Sequence, residues 1–477
     1  MDMKREKTKV LVASPEVMPF GGTGGLGEVA GSMPRAVNAL PDADIECRVI
    51  MPLYGSVKPE WREQMTFLGH KDIPVAWRSQ YMGIFELERD GVIYYFVDNE
   101  YYFKRNNLYG FYDDCERFSF FSRAVIESAD ITGFMPDIIH ANDWQTALSV
   151  IFAKTIYAGL GIKTVFTIHN VEYQGRYGKD VLGECIGIDE SDFHYLMKDG
   201  DVNLMKGAIL LTDRLTTVSP TYARELTYPV SAFGLDDVIR DNEYKMVGIL
   251  NGIDTVSYDP MNDPFIGYTY SSANIRGKRW CKRALQKKLE LPQTNAPMLT
   301  MISRLVAPKG VDIIAMIMDY LLDNYDIQFV MLGTGDEEYE NYFRDLQYRY
   351  PEKVRSLIEF NTRTAHEIYA AGDMLLMPSR SEACGLAQMI GCRYGNAPIV
   401  RLTGGLADSI KEWDGESGNG FTFFEYNGGE LEYAIRRAIN LYDDKKKWNV
   451  LVKHILDEDF TWDRAAKEYH KLFSELA

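Results

Sequence analysis

Strand-like and helix-like stretches alternate along the 477 residues of this chain in two successive series, and this alternation restricts the fold more than any other feature. The apolar runs of the first series are residues 9–14, 45–52, 92–98, 137–141, 163–169 and 214–219. Those of the second series are residues 298–304, 327–333, 356–360, 373–379 and 397–402. Alternation of this kind predicts parallel sheets that are covered by helices.

A connector separates the two series. Residues 248–275 are rich in Asn, Asp, Pro and Gly, and they interrupt the alternation. The sequence therefore predicts an α/β protein of two Rossmann-like, doubly wound domains, residues 1–247 and 248–457, that face each other across a cleft. Because ligands bind at the carboxyl ends of the strands in open α/β sheets, we expect the functional residues at that edge.

The charge balance argues against some classes of partner. The chain has 52 Lys and Arg against 69 Asp and Glu, a formal net charge of −17, whereas nucleic acids and anionic membranes require a basic surface. No apolar stretch is long enough to span a bilayer, the N-terminal residues are polar, and the cysteines form no CxxC pair. We therefore expect a cytoplasmic protein with reduced thiols that binds neither nucleic acid nor membrane.

Two glycine-rich loops repeat one pattern. The sequence FGGTGGLGEV follows a strand-like run, and its TGGLGE at 23–28 is echoed by TGGLAD at 403–408, which also follows a strand and opens a helix. Glycine lets backbone N–H groups approach an anion, and the N-terminus of a helix provides a favourable field. The repetition favours phosphate binding over ordinary tight turns. The first loop has no lysine, so the positive charge must come from elsewhere.

Two basic residues in the second series can supply that charge. Arg304 ends the run 298–304, and Lys309 lies five residues further on, at the start of the next helix. A single basic residue is usually only solvated, but both of these lie at the expected ligand-binding edge. Arginine can grip a diphosphate through two hydrogen bonds, and lysine acts as a point charge.

Nine motifs that span nearly the whole chain carry a family resemblance. In chain order they are TGGLGEV (23–29), HANDWQTAL (140–148), VFTIHNVEYQG (165–175), LTTVSPTYARE (215–225), LNGID (250–254), SRLVAPKG (303–310), PSRSEACGLAQ (378–388), RLTGGLADSI (401–410) and FTWDRAAKEYHKLF (460–473). The chain resembles the bacterial glycogen synthases and plant starch synthases, which are retaining glucosyltransferases of the glycosyltransferase-B fold. The resemblance implies an N-terminal acceptor domain, a C-terminal nucleotide-sugar domain, and a closing helix, 458–477, that returns to the first domain.

The resemblance also implies a reaction. Family members transfer glucose from a nucleotide diphosphate glucose, usually ADP-glucose in bacteria, to the 4-hydroxyl of an α-1,4-glucan with retention of configuration. The partners implied are thus a nucleotide sugar and an α-glucan. The family is assigned front-face attack, in which the leaving phosphate takes the acceptor proton, so Glu382 is not expected to be a nucleophile.

Site residues can be carried over motif by motif. By resemblance, Arg304 and Lys309 hold the diphosphate. Glu382 and His169 face the donor sugar, and Asp143 lies beside the sugar or the acceptor. Taken singly, His169 could be a structural histidine at a strand end and Asp143 a cap of the following helix. The other implied donor-binding residues are Gly24, Gly25, Asn251, Phe360, Cys384, Gly385, Leu386, Thr403 and Gly404.

The residue types suit this chemistry without a metal. Cleavage at a diphosphate places negative charge on the leaving oxygens and positive charge on the sugar, and fixed cations and helix N-termini stabilise the former. We therefore expect no metal and no other cofactor. The best trio of potential ligands is His140, Asp143 and His169, for which a structural role is favoured.

Aromatic residues between positions 94 and 111 are candidates for glucan contact, because rings with polar edges suit sugar faces. About half of them belong to the strand-like run 92–98 and should lie in the core. The loop that follows holds the better candidates, which are Tyr101, Tyr102 and Tyr109.

Several positions depart from the family pattern. Gly22 stands where most members have a lysine, and Ala387 stands where they have a threonine near the phosphates. The remaining departures are Glu28 for Asp, Asn142 and Gln145 for His, and Phe360 for an aromatic that is often Tyr. Since the principal site residues are intact, we expect an active enzyme. Two alternatives stay open: a related glycosyltransferase with another donor base or acceptor, and a catalytically weak glucan-binding regulator.

Overall fold

The computed structural model describes residues 7–41 and 44–477. The chain divides into two compact units, one of Met1–Asn251 with Trp462–Ala477 and one of Gly252–Thr461. The sequence predicts both boundaries a few residues earlier, after 247 and after 457. Residues 249–275 contain no helix or strand, so no secondary-structure element marks the first boundary. Within the described residues, no helix is long and apolar enough to cross a membrane.

The strands of the first unit form a large sheet and a small one. In chain order they are β1 (Thr8–Ala13), β2 (Ile45–Pro52), β3 (Thr66–Val75), β4 (Arg78–Arg89), β5 (Val92–Asp98), β6 (Ile138–Asn142), β7 (Lys163–Ile168), β8 (Arg176–Tyr177), β9 (Met197–Lys198), β10 (Asp201–Asn203), β11 (Arg214–Thr217) and β12 (Met246–Gly248). The large sheet has the order β12-β11-β7-β6-β1-β2-β5-β4-β3, and the small sheet has the order β8-β10-β9. Neighbours in the large sheet are parallel except β3–β4 and β4–β5.

The helices of the first unit cover this sheet. They are α1 (Gly25–Asn38), α2 (Pro59–Arg62), α3 (Glu100–Phe103), α4 (Asp114–Glu127), α5 (Ala129–Thr132), α6 (Trp144–Lys154), α7 (Phe193–Leu196), α8 (Leu204–Leu211), α9 (Pro220–Glu225), α10 (Pro229–Ala232) and α11 (Asp236–Asp241). With helices on its faces, a parallel strand such as β6 is buried along its whole length. Such strands therefore read as continuous apolar runs rather than alternating ones.

The second unit repeats the architecture with a wholly parallel sheet. Its strands are β13 (Met298–Ile302), β14 (Gln328–Leu332), β15 (Val354–Leu357), β16 (Met374–Met377), β17 (Ala397–Arg401) and β18 (Phe421–Phe423), in the order β15-β14-β13-β16-β17-β18. Its helices are α12 (Arg276–Lys288), α13 (Val311–Asn324), α14 (Glu337–Arg349), α15 (Thr362–Ala371), α16 (Ala387–Arg393), α17 (Gly404–Ser409), α18 (Gly428–Asp443) and α19 (Lys445–Leu456). One core cluster between sheet and helices consists of Leu285, Leu291, Met298, Val330, Leu332, Ile368 and Ala371.

The last helix, α20 (Asp463–Ser474), belongs to the first unit. Its Tyr469 and Phe473 are fully buried, and their rings lie 5.6 and 5.7 Å from the imidazole of His140 on β6. His140 is fully buried too, and its Nε2 bonds to Oγ1 of Thr167 at 2.6 Å. These contacts give His140 a structural role beneath the closing helix.

The prediction of two α/β domains with parallel sheets is confirmed. Every predicted apolar run overlaps a strand. The antiparallel β3–β4 hairpin was not predicted. In addition, α1 begins at Gly25, inside the glycine-rich stretch. Gly24 has an extended backbone at the N-cap position, so only the first half of the glycine-rich stretch is a loop.

Candidate active site

Asp143 joins β6 to α6 at the carboxyl edge of the large sheet, and its backbone is strained. Its φ of 56° and ψ of 179° lie near a region that only glycine adopts readily, at a cost on the order of 1–3 kcal/mol. Oδ1 of Asp143 accepts hydrogen bonds from the N–H of His169 at 2.7 Å and from that of Asn170 at 3.3 Å. The side chain makes no capping bond to α6, so it ties β6 to the loop after β7 instead of acting as a helix cap.

The same carboxyl group has an unusual acidity. Burial raises the pKa of Asp143 to about 7, and the nearby charge of Glu16 adds to this effect. The N–H groups of His169 and Asn170 act in the opposite direction, because they stabilise the carboxylate. At neutral pH the site therefore contains both the carboxyl and the carboxylate form of Asp143.

His169 follows β7 and is held through its ring. Its Nε2 lies 2.9 Å from Oδ1 of Asn142, the last residue of β6. Burial lowers the pKa of His169 to about 3, and the neighbouring His140 lowers it further. The imidazole is thus neutral between pH 5 and 8, and it can accept or donate one hydrogen bond at each nitrogen but cannot serve as a cation.

The first TGGL loop is organised by a buried carboxylate. Oε2 of Glu16 accepts the N–H of Thr23 at 2.6 Å, and Oε1 accepts its hydroxyl at 2.8 Å. Gly24 and Gly25 are exposed at the N-terminus of α1, and a Cβ at Gly24 would meet no atom within 4 Å. The loop therefore presents open space beside the start of a 14-residue helix, as an anion-binding turn requires.

The three candidate tyrosines have different environments. Tyr101 is 67% exposed, and the hydroxyl of Tyr109 lies 3.0 Å from Oγ1 of Thr23, which places it at the TGGL loop. Tyr102 is fully buried, and its hydroxyl donates to Oε1 of Glu116 at 2.5 Å. A glucan cannot reach a ring in the core, which corrects the expectation for Tyr102 and leaves Tyr101 and Tyr109 as candidates.

In the second unit, the fold brings Lys309 and Glu382 together. Lys309 ends a 3-10 turn after β13, Glu382 follows β16, and Nζ of Lys309 lies 2.6 Å from Oε2 of Glu382. The hydroxyl of Ser379 donates to the same oxygen at 3.1 Å. Both charged side chains are mostly buried, with 20% and 11% of their surface exposed. A mostly buried ion pair therefore lies at the carboxyl edge of the second sheet.

Arg304 lies at the same edge but is not part of this pair. It follows β13 by two residues and is exposed. Within residues 7–41 and 44–477, its guanidinium has no hydrogen-bond or ion-pair partner. A guanidinium without protein partners is available to a bound anion.

The second TGGL loop packs against the segment that carries Glu382. Gly404 has a φ of 43°, and a Cβ there would lie 1.9 Å from the carbonyl oxygen of Glu382. A Cβ on Gly405 would lie 2.1 Å from the carbonyl oxygen of Cys384, and the N–H of Gly405 donates to Glu382 at 3.2 Å. The close approach of the two loops therefore requires glycine at 404 and 405. Contact of Thr403 or Gly404 with a ligand stays a prediction.

The remaining predicted donor-binding residues differ in their exposure and backbone conformation. Phe360 follows β15 and is 92% exposed. Cys384 is buried, Gly385 has a φ of 71°, and Leu386 is the N-cap residue of α16. Asn251 is buried, and its Oδ1 has no hydrogen-bond partner in the described chain. A buried amide oxygen without a partner is costly and favours a role in ligand binding.

The structure also shows partners that the sequence did not reveal. The first TGGL loop is held by Glu16, Glu382 by Ser379, and His169 by Asn142. Nothing in the sequence pairs these polar residues with the groups that they hold. For a metal, no cluster of three or more His, Cys, Asp or Glu side chains with suitable placement occurs in the described ranges. Metal independence stays a prediction.

Two family models match the chain in succession. The model described as the starch synthase catalytic domain matches residues 9–241, and the model described as glycosyl transferases group 1 matches residues 282–450. The glycogen synthase of Bacillus subtilis (strain 168) is 42% identical over 98% of this chain and 98% of its own length. The chain belongs to the glycogen and starch synthase family. It is a glycosyltransferase enzyme, with the two Rossmann-like units of the glycosyltransferase-B fold.

Further relatives of the family support this assignment. The glycogen synthase of Clostridium botulinum (strain Eklund 17B / Type B) is 44% identical over 98% of this chain and 99% of its own. Among solved structures, the catalytic domain of Starch Synthase IV from Arabidopsis thaliana, bound to ADP and acarbose, is similar with a TM-score of 0.91 and 33% identity. That likeness covers 99% of both chains.

Proposed function

We propose that the protein is a glycogen synthase that transfers glucose from ADP-glucose to the non-reducing 4-hydroxyl of an α-1,4-glucan, with retention of configuration. The observation that carries the proposal is the likeness over 99% of the chain to a starch synthase catalytic domain bound to ADP and acarbose. Relatives named glycogen synthase at 42–44% identity support the same reaction.

The second unit would stabilise the leaving group. Arg304 has an unengaged guanidinium, and Lys309 carries three N–H donors, of which its bond to Glu382 uses one. Both can therefore bind phosphate oxygens without a metal while Lys309 keeps its ion pair. Charge that grows on the diphosphate as the bond to the sugar breaks would meet cations already in place, which is how preorganised sites accelerate such reactions.

Front-face transfer accounts for retention. The bond between the anomeric carbon and the phosphate oxygen breaks, the glucan 4-oxygen attacks the same face, and its proton moves to the departing phosphate. Oε2 of Glu382 is already engaged by Lys309 and Ser379, which suits a carboxylate that positions and stabilises charge rather than a nucleophile. A donor that reacts slowly should accordingly leave no glucosyl–enzyme detectable by mass spectrometry.

A donor screen tests the proposal. Purified protein is incubated with ADP-, UDP- or GDP-glucose, with and without glycogen, and nucleotide diphosphate release and chain elongation are measured. We expect release from ADP-glucose only when glycogen is present, and new linkages that an α-1,4-specific glucosidase cleaves. Preference for another nucleotide would show a different donor base. Binding of glycogen without any release would favour the regulator that the sequence left open.

We expect glucosyl transfer to be independent of metal ions. Arg304, Lys309 and helix N-termini supply the positive charge that a metal would otherwise supply at a diphosphate. Initial rates are compared before and after dialysis against excess EDTA, and then with Mg²⁺ or Mn²⁺ added. An unchanged rate is expected, whereas loss on chelation with recovery on addition of either metal would reveal a metal site.

We also expect Gly22→Lys to fold and to bind the donor more tightly. A Cβ at Gly22 would lie 3.2 Å from Sδ of Met18 and 3.3 Å from Oε2 of Glu16, so both side chains must shift by a few tenths of an ångström. A cation beside the TGGL loop adds a charge-assisted contact, which should lower the KM for ADP-glucose about three- to tenfold. Gly22→Gln is the uncharged control. A higher KM in a folded lysine variant would mean that this loop does not face the donor phosphates.

A further inference from the structure

The side-chain amide of Asn142 can have only one orientation in this fold. It is buried at the end of β6, and its Nδ2 donates to the carbonyl oxygens of Ala13 at 3.1 Å and His140 at 3.2 Å. Carbonyl oxygens only accept, so the opposite orientation would place Oδ1 against two acceptors. The amide oxygen must therefore face His169, whose Nε2 lies 2.9 Å away.

This orientation determines the tautomer of His169. An amide oxygen cannot donate, so Nε2 of His169 must carry the hydrogen. A neutral imidazole has a single N–H, which leaves the lone pair on Nδ1. Nδ1 itself has no hydrogen-bond partner in residues 7–41 and 44–477. The ring thus presents an unused acceptor.

We propose that Asn142 is a positioning residue that holds His169 in the Nε2–H tautomer, so that Nδ1 accepts a hydrogen bond from a hydroxyl of the transferred glucosyl group. The identity of that ligand rests on the proposed function, whereas the tautomer does not. The sequence departs from the family pattern at this position, where a histidine is common. A histidine could donate or accept toward His169, whereas asparagine, held by two carbonyls, can only accept.

The surroundings keep the charge of His169 constant. The ionisable groups around this region are Asp143, which accepts the backbone N–H of His169, His140 on β6, Glu16 beside the TGGL loop, and Tyr222 on α9, which lies near Asp143. Burial, with His140 acting in the same direction, lowers the pKa of the ring to about 3. Which nitrogen carries the hydrogen is therefore the property that a neighbour can still control at neutral pH.

The tautomer can be observed directly. In protein labelled with ¹⁵N-histidine, long-range ¹H–¹⁵N spectra distinguish a protonated from an unprotonated ring nitrogen, and the His169→Gln variant assigns the signals among the seven histidines. We expect Nε2–H in the wild type and a mixture of tautomers in Asn142→Leu, which lacks the acceptor. Nδ1–H in the wild type would overturn the proposal whatever the protein catalyses.

A matched variant separates this role from general damage. Asn38 in the same unit makes the same set of bonds: Nδ2 donates to the carbonyls of Cys47 and Gly91, and Oδ1 accepts the N–H of Cys47. Asn38→Leu should lower stability without changing the His169 signals or the kinetics. Asn142→Leu should lower kcat/KM for glucosyl transfer about tenfold, the loss expected for one hydrogen bond.

Donor analogues test the hydroxyl. Each hydroxyl of the glucosyl group is replaced in turn by fluorine, which cannot donate a hydrogen bond. The wild type should discriminate against one analogue about tenfold more strongly than Asn142→Leu does. Equal discrimination by both proteins would contradict the contact with Nδ1. If the wild type transfers no glucose at all, the proposed function fails, and the spectra still decide the tautomer.

Discussion

Replacing Arg304 or Lys309 by alanine should lower kcat for glucosyl transfer by about a hundredfold or more, and should raise the KM for ADP-glucose much less. In the proposed function, both cations would act on charge that grows on the diphosphate as the bond to the sugar breaks. Initial rates over a range of ADP-glucose concentrations at saturating glycogen separate the two constants. If Arg304→Ala changes KM alone, the residue merely binds the ground state and the catalytic role is wrong.

The Lys309 variant should also reveal the ion pair with Glu382. Removal of Nζ, 2.6 Å from Oε2, leaves a mostly buried carboxylate whose side-chain hydrogen bonding, within the described residues, is reduced to the hydroxyl of Ser379. An uncompensated buried charge is costly, so Lys309→Ala should lose stability as well as rate. Lys288→Ala is the matched control, because it breaks an ion pair of 2.5 Å with Glu367 in the same unit, away from the carboxyl edge.

A double-mutant cycle separates these effects. Glu382→Gln keeps the shape of the side chain and removes its charge, and it should itself be severe. In the double variant that carries Lys309→Ala and Glu382→Gln, the fold-loss in kcat should be clearly less than the product of the two single losses, because the two residues form one ion pair. Combined with Arg304→Ala, Lys309→Ala should also be less than additive, because both grip one diphosphate. Strict additivity in both cycles would show that the three residues act independently.

The sequence predicted the fold well where strands are buried on both faces. Runs 298–304 and 327–333 contain β13 and β14, because these parallel strands are buried almost throughout and their residues are mostly apolar. The β3–β4 hairpin was missed for the opposite reason. Its strands mix exposed and buried residues without regular alternation, and β3 contains a bulge between Phe67 and Gly69.

The geometry of the site was beyond the sequence for another reason. Motifs indicated that Lys309 and Glu382 are functional, but 73 residues separate them, and only the folded sheet brings their charges to 2.6 Å. The strained backbone of Asp143 and its bonds to the loop after β7 are also products of tertiary structure. Tyr102 shows the converse error, because an aromatic in a polar stretch suggested exposure although the ring completes the core.

Asp143→Asn should abolish most activity and yet stabilise the fold above pH 7. Asparagine keeps an oxygen that can accept the N–H groups of His169 and Asn170, and it tolerates positive φ about as well as aspartate does. The variant therefore removes the ionisation and little else. If Asp143 lies beside the sugar or the acceptor, as the family resemblance implies, the loss of its carboxylate should lower kcat on the order of a hundredfold.

The stability effect follows from the raised pKa of Asp143. An unfolded aspartate has a pKa of about 3.9, and the folded one has a pKa of about 7. Between these values the folded state binds more protons than the unfolded state, so the contribution of Asp143 to the free energy of unfolding falls as pH rises from about 4 to about 7. Asparagine has no such loss. The melting temperature of the Asp143→Asn variant should exceed that of the wild type at pH 8, and this difference should vanish or reverse at pH 5.

Activity should change with pH in the direction opposite to stability. If the carboxylate is the working form, kcat/KM of the wild type should rise as pH increases through about 7, the pKa of Asp143 in the folded protein. His169, with a pKa of about 3, adds no step in this range. Asp98→Asn is the control: burial raises the pKa of that carboxyl too, so its loss should affect stability but not rate. A flat profile between pH 6 and 8, or a lower melting temperature for Asp143→Asn at pH 8, would show that Asp143 is ionised throughout and that its burial is offset by contacts with the backbone.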